Sequence, residues 1–175
     1  MIEDVEFREA SVDDAAEIAA LINSCYRGDS SRQGWTTEAD LLDGTRTNEA
    51  EIESLITTSG SVILICADGN EIIGSVYLQK QPPSSCYLGM LVVKPQLQGS
   101  GLGRRLMAAA EDHVRKKWGA KQMTMSVITA RKELIEYYQR RGYRRTGLIK
   151  PFIIDDVHGI PRVEGIELEI LEKDL

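Results

Sequence analysis

Cys86-Tyr-Leu-Gly-Met-Leu-Val-Val-Lys-Pro-Gln-Leu-Gln-Gly-Ser-Gly-Leu-Gly103 is an apolar run that breaks at Lys94-Pro95 into a turn carrying Gly99, Gly101 and Gly103. The run beyond it reads as a helix to Trp118. Leu102, Leu106, Ala109, Ala110, His113, Val114 and Trp118 recur at the spacing of one buried face, and Arg105, Glu111, Asp112, Arg115 and Lys116 fall elsewhere. Arg115-Lys116-Lys117 suits the negative end of the helix dipole, and Gly119 suits a left-handed cap. A strand, a glycine turn and a helix start without Pro direct several unpaired backbone N–H groups at one point, which makes an anion cradle. A plain connection would gain nothing from these glycines, each of which weakens a helix by up to about 1 kcal/mol where it lies inside it.

Spacing decides which anion. After Gly99 and Gly101 the third glycine of a dinucleotide fingerprint is replaced by Arg104, and no Gly-Lys-Ser/Thr follows at P-loop spacing. The stretch instead contains Gln98-x-x-Gly101-x-Gly103 preceded by Val93-x-Pro95. It resembles the Gln/Arg-x-x-Gly-x-Gly/Ala loop with which the GNAT N-acetyltransferases hold the pyrophosphate of acetyl-CoA. A second landmark, Arg131-Lys-Glu-Leu134-Ile-Glu-Tyr137-Tyr138-Gln-Arg-Arg141-Gly142-Tyr143, is similar to the same family's segment that ends in a tyrosine, three residues and Gly-Phe/Tyr. Arg131 stands where asparagine is usual and Leu134 where alanine is usual. The resemblance covers roughly residues 72–143 and leaves 27–46 unconstrained.

Composition sets the frame around these landmarks. At 175 residues and 42% hydrophobic content, the chain is long enough for one domain with a full core, expected over residues 1–175. No apolar run is long enough to span a bilayer, and the acidic Met1-Ile-Glu-Asp start is unlike a signal peptide, so a cytoplasmic protein with no membrane partner is expected. Cys25, Cys66 and Cys86 are odd in number and widely spaced. They read as core residues, with no disulfide scaffold and no metal site. The net charge of −6 argues against nucleic acid. Residues 98–150 hold 13 Lys/Arg and 4 Asp/Glu, a local +9, which leaves −15 for the rest. A basic half suits polyanionic coenzyme A and an acidic half suits a cationic acceptor, although solvated helix faces account for many of these charges.

Taken in order, the chain opens with a short strand around Val5, Phe7 and Ala10, a cap at Ser11 with Asp14 three residues on, and a helix through about Cys25. The polar stretch 27–34 is a loop closed by Trp35. Residues 36–42 read as a short helix capped at Thr36 or Thr37, and 47–56 as another capped near Asn48. With the loop before them, the two are expected to wall an acceptor site. Strands over 61–67 and 71–79 flank the turn Asp68-Gly69-Asn70, and 86–93 continues the meander. After the glycine-loop helix come a strand at 122–128, a helix at 133–140 stopped by Gly142, and strands at 143–152 and 166–171 joined by a polar loop.

The resemblance implies an α/β (α+β) acyl-CoA N-acyltransferase fold. Its central sheet, mixed and mainly antiparallel with six or seven strands, is flanked by helices, and its fourth and fifth strands run parallel and splay apart. Acetyl-CoA is the implied co-substrate, with no metal. The pantetheine arm would lie on Leu91, Val92 and Val93, and the pyrophosphate on Gln98, Gly99, Ser100, Gly101, Leu102, Gly103 and Arg104, with Arg131 and Tyr138 also at the cofactor.

Acetyl transfer needs a neutral amine, a stabilised tetrahedral oxyanion and a proton for the departing thiolate. A lysine-like amine with a pKa near ~10.4 is neutral in about one molecule in 2,500 at pH 7, a cost of roughly 4.6 kcal/mol. Tyr138 is the expected acid. The base is not assigned, because Tyr87 stands where some relatives carry a glutamate. Glu38, Asp40 and Asp43 qualify by location alone, and neither His113 nor His158 has a partner that suggests catalysis. The expected acceptor is a small cationic amine bound near Tyr26, Trp35 and Glu38 by a monomer or homodimer. A non-catalytic acyl-CoA sensor and a protein lysine or N-terminal acetyltransferase are the alternatives.

Overall fold

A computed structural model describes residues 2–27, 31–32, 34, 37–152 and 160–175. Its main sheet has seven strands: β1 Glu6–Glu9, β2 Ser61–Asp68, β3 Glu71–Gln81, β4 Ser85–Val93, β5 Gln122–Ile128, β6 Arg144–Pro151 and β7 Glu167–Asp174. They lie in the order β1-β2-β3-β4-β5-β7-β6. Only β4 and β5 pair in parallel, and only at Ser85–Gln122, Cys86–Met123 and Tyr87–Thr124; the other pairings are antiparallel. Beyond Tyr87 the two strands diverge, which is the splay the resemblance implied. The described helices are α1 Ala15–Tyr26, α2 Glu49–Thr57, α3 Leu102–Trp118 and α4 Lys132–Arg140. Among the described residues, no helix is long and apolar enough to cross a membrane.

Strand alternation builds two cores, one on each face of the sheet. Leu64 and Cys66 of β2 point to the layer of Leu102, Leu106, Ala110 and Val114 on α3. Ile63 and Ile65 point the other way, to Ile18 and Ile22 of α1 and Ile52 of α2. The three cysteines are buried and unbridged, as their spacing indicated. Helix starts follow their predicted caps. Ser11 and Asp14 form a reciprocal capping box before α1, and the Asn48 side chain accepts from the Glu51 N–H at 2.8 Å at the start of α2.

Three expectations are corrected. Residues 39–41 form a turn rather than a helix, because Leu42–Asp43 pairs with Ile160–Pro161 in a separate two-stranded ladder and pulls the chain out after one turn. α2 packs on α1 and β2 rather than walling an acceptor site. Glu111, assigned to the outer face of α3, is only 8% exposed, because Lys173 of β7 meets both its carboxylate oxygens at 2.9 and 3.0 Å and the Tyr143 hydroxyl lies at 3.3 Å.

Candidate active site

The glycine loop owes its shape to two left-handed residues. Gly99 and Gly101 have φ of 84° and 87°, and a Cβ on either would meet nothing, so backbone conformation rather than crowding requires glycine there. Gly103 is different, since a Cβ there would lie 3.2 Å from the Tyr137 hydroxyl. The first α-helical bond of α3 runs from Arg105 N to Gly101 O at 3.1 Å, so the N–H groups of Leu102, Gly103 and Arg104 precede the helical ladder. Gln98 pins the loop by donating from Nε2 to Val93 O at 3.1 Å.

These groups border a cavity of about 610 Å³ in the splay, walled by Leu91, Val92 and Val93 on one side and by α4 on the other. Arg104, Arg140 and Arg141 line it against Glu133 and Glu136, a small positive excess, and the Arg141 guanidinium sits 4.3 Å from the Tyr137 ring centre. Ser100 and Leu102 do not line it. The Ser100 hydroxyl donates to Leu97 O at 2.6 Å, and the Leu102 side chain is in the core, leaving only its backbone toward the loop.

A second cavity of about 290 Å³ opens on the far side of β4, and Leu91, Leu134 and Tyr138 line both cavities. Tyr138 is 6% exposed, packed edge-to-face against Tyr137 and Tyr143, and its hydroxyl makes no hydrogen bond among the described residues. Burial pushes its pKa well above the ordinary tyrosine value, with the Tyr137 neighbour adding to that and Arg131 opposing it. The phenol therefore stays protonated.

The wall of the second cavity is tied from several distant segments. Asn23 on α1 accepts from Arg46 N and Thr47 N at 2.7 and 3.1 Å, which fixes Arg46 beside Tyr26, its guanidinium 5.9 Å from the ring centre. The Tyr26 hydroxyl donates to Leu91 O at 3.0 Å. Arg27, 4% exposed, reaches Thr45 O at 2.9 Å and Glu38 Oε1 at 3.1 Å. Arg131, expected at the cofactor, lines this second cavity instead and donates to Thr37 O at 2.6 Å.

Tyr26 and Glu38 line the same wall of the second cavity, while Trp35 lies outside the described residues. Asp40 pairs with Arg32 at 2.6 Å and Asp43 lies 3.8 Å from Arg162; neither lines the cavity. His113 faces Glu9 at 3.4 Å on α3, and His158 is outside the described residues. Asn23, Arg27, Arg46 and Lys150 were not anticipated from the sequence. An arginine directly after the helix at Tyr26 was the available signal, since a cation at a helix end opening into a polar loop often organises that loop.

The comparisons with known proteins agree with this geometry. Residues 16–143 match the Acetyltransferase (GNAT) family. The chain is 31% identical over 153 residues to the uncharacterized N-acetyltransferase YhfO of Bacillus subtilis, covering 83% of this chain and 94% of the relative. An N-acetyltransferase from Staphylococcus aureus shares the fold with a TM-score of 0.72 at 12% identity, covering 98% of this chain and 97% of that one. A spermidine N-acetyltransferase SpeG chimera from Vibrio cholerae and hSSAT does so with a TM-score of 0.68 at 16% identity, covering 97% and 95%. A splayed parallel pair with a glycine cradle at its mouth defines an acyl-CoA N-acyltransferase. The chain belongs to the GNAT acetyltransferase family and is an acetyl-CoA-dependent N-acetyltransferase.

Proposed function

We propose that residues 1–175 act as one domain that transfers the acetyl group of acetyl-CoA directly to a primary amine, the donor lying in the larger cavity and the acceptor in the smaller. The observation that carries this reading is the meeting of the two cavities at Tyr138 and Leu91. Leu91, Val92 and Val93 hold the pantetheine arm along β4. The N–H groups of Gly99 and Gly101 to Arg104 hold the pyrophosphate, with Arg104, Arg140 and Arg141 adding charge. The co-substrate supplies a thioester carbonyl.

At the junction the amine nitrogen bonds to that carbonyl carbon, the carbon–sulfur bond breaks, and Tyr138 gives its proton to the thiolate. The proton lost by the amine leaves toward solvent or toward Glu38, the one carboxylate lining the second cavity among the described residues. A raised phenol pKa keeps Tyr138 charged with its proton. It also makes the donation uphill in the resting site, by more than the roughly 2 kcal/mol expected of an ordinary phenol and thiol in water. A thiolate left dry in the same cleft becomes more basic and recovers part of that difference.

The acidic balance of the remaining sequence supports a cationic acceptor, and a spermidine enzyme among the structural neighbours fits it. The charge of the cavity lining points elsewhere. Coenzyme A thiol release with an amine panel tests the reading. Amine-dependent release is expected, and acetyl-CoA at 100 times its Kd should add about 2.7 kcal/mol of stability. Binding without any turnover would instead make the domain an acyl-CoA sensor.

A further inference from the structure

We infer that the acceptor carries a carboxylate beside its amine and that Arg46 and Lys150 select it. The inference rests on the assignment of the second cavity to the acceptor. The charged side chains lining that cavity among the described residues are Arg27, Arg46, Arg131 and Lys150 against the single carboxylate of Glu38, a net charge of +3. Glu38 is already paired with Arg27 at 3.1 Å. Among the described residues, neither Arg46 nor Lys150 forms an ion pair with a carboxylate. Arg46 is half-buried and held against the Tyr26 ring by the Asn23 clip on its backbone, so its position is set before any ligand arrives.

Two cations facing one small cavity with no counter-ion among the described residues repel each other and any cationic ligand, and attract an anion. The carboxylates behind the acidic total lie elsewhere: Asp40 and Asp43 are exposed outside the cavity, and Glu49 and Glu53 are on the outer face of α2. The overall charge split therefore does not describe the acceptor site. A cavity of about 290 Å³ is at the small end of ligand pockets, which suits a free amino acid better than a chain. The amine end would lie at Tyr138 and Leu91, where the cavities meet, with the carboxylate toward Arg46 and Lys150.

The test measures thiol release at fixed acetyl-CoA for the free amino acids, their carboxamides, spermidine and a lysine peptide. Carboxylate-bearing amines should exceed their carboxamides by about tenfold or more in kcat/KM, the effect of one charge-assisted hydrogen bond. Arg46→Ala and the exposed Lys150→Ala should each raise KM about tenfold for the carboxylates and change it less than about threefold for the carboxamides. Equal or better turnover of carboxamides, spermidine or peptide overturns the inference, as does an equal effect of the variants on both series.

If no amine turns over, the coenzyme A complex is titrated with N-acetyl amino acids as product probes and followed by melting temperature. A rise in the wild type that Arg46→Ala removes supports the inference, and no rise with any probe overturns it. Failure of acetyl-CoA itself to raise the melting temperature strikes the acetyl-transfer reading. Binding of acetyl-CoA with a preference for spermidine strikes only the carboxylate.

Discussion

The two cavities that meet at Tyr138 are built by different means. The larger is framed by main chain: left-handed Gly99 and Gly101, the first N–H groups of α3, and β4 where it leaves β5. The smaller is framed by side chains from Tyr26, Glu38, Arg46, Arg131 and Lys150, the first four tied by hydrogen bonds between segments far apart in sequence. A main-chain site constrains conformation and tolerates most side-chain truncations. A side-chain site can change its ligand through single substitutions.

Gly101→Val should break the main-chain side most completely. Its φ of 87° is costly for a β-branched residue, and relaxing it would disperse the N–H groups. Acetyl-CoA affinity by calorimetry should fall by at least about 100-fold, with the apo circular dichroism retained. Unchanged affinity would reduce the loop to a connection. At the junction, Tyr138→Phe should lower kcat by about 100-fold while the acetyl-CoA Kd stays nearly constant. Because its pKa lies above the ordinary value, the wild-type rate should show no alkaline fall until beyond pH ~10. A fall near pH 8 would assign that limb to another group.

On the side-chain side, Arg27→Met removes the partner of Glu38 and the donor to Thr45 O, and should cost about 1–3 kcal/mol in urea unfolding. It should also raise the acceptor KM without changing acetyl-CoA affinity, whereas equal losses in both would mean the cavities are not separable. A smaller effect belongs to Asp14, whose pKa is lowered to about 2 mainly by its hydrogen bonds from Arg8. The unfolded chain takes up that proton near 3.8, so the stabilisation is present above that pH and is lost as pH falls toward 2. Asp14→Asn should flatten this part of the acid unfolding curve. Smallest of all, Ser100→Ala should change acetyl-CoA affinity less than about threefold, because the hydroxyl is turned back to Leu97 O.

The same division explains what the sequence disclosed. Glycine spacing, an apolar run ending in Lys94-Pro95 and the periodicity of Leu102 to Trp118 are local signals, and they located the glycine loop and α3 within a residue. The caps at Ser11 and Asn48 are equally local. Residues 39–41 misled because the pairing of Leu42 with Pro161 is a contact across the chain that no window of propensity contains. Glu111 misled for the same reason, since Lys173 lies in β7. Arg46 could not be placed from a pattern, because what makes it a site residue is Asn23, a helix away, and Tyr26.

β4 counts differently at its two ends. Cys86 and Leu88 face the α3 core, but after Met90, at φ 49°, the facing residues are Leu91 and Val93, while Met90 and Val92 turn to the α1 side. The register slip against β3 between Ser75 and Tyr77 marks the same spot. One supernumerary residue thus shifts the strand from even to odd, and this parity change coincides with the junction of the two cavities. The extra residue therefore matters here for the bend it makes more than for its side chain. Met90→Gly would suit the backbone, whereas removing Met90 would restore plain alternation, leave Leu91 and Val93 facing α3, and straighten the strand where the two cavities meet.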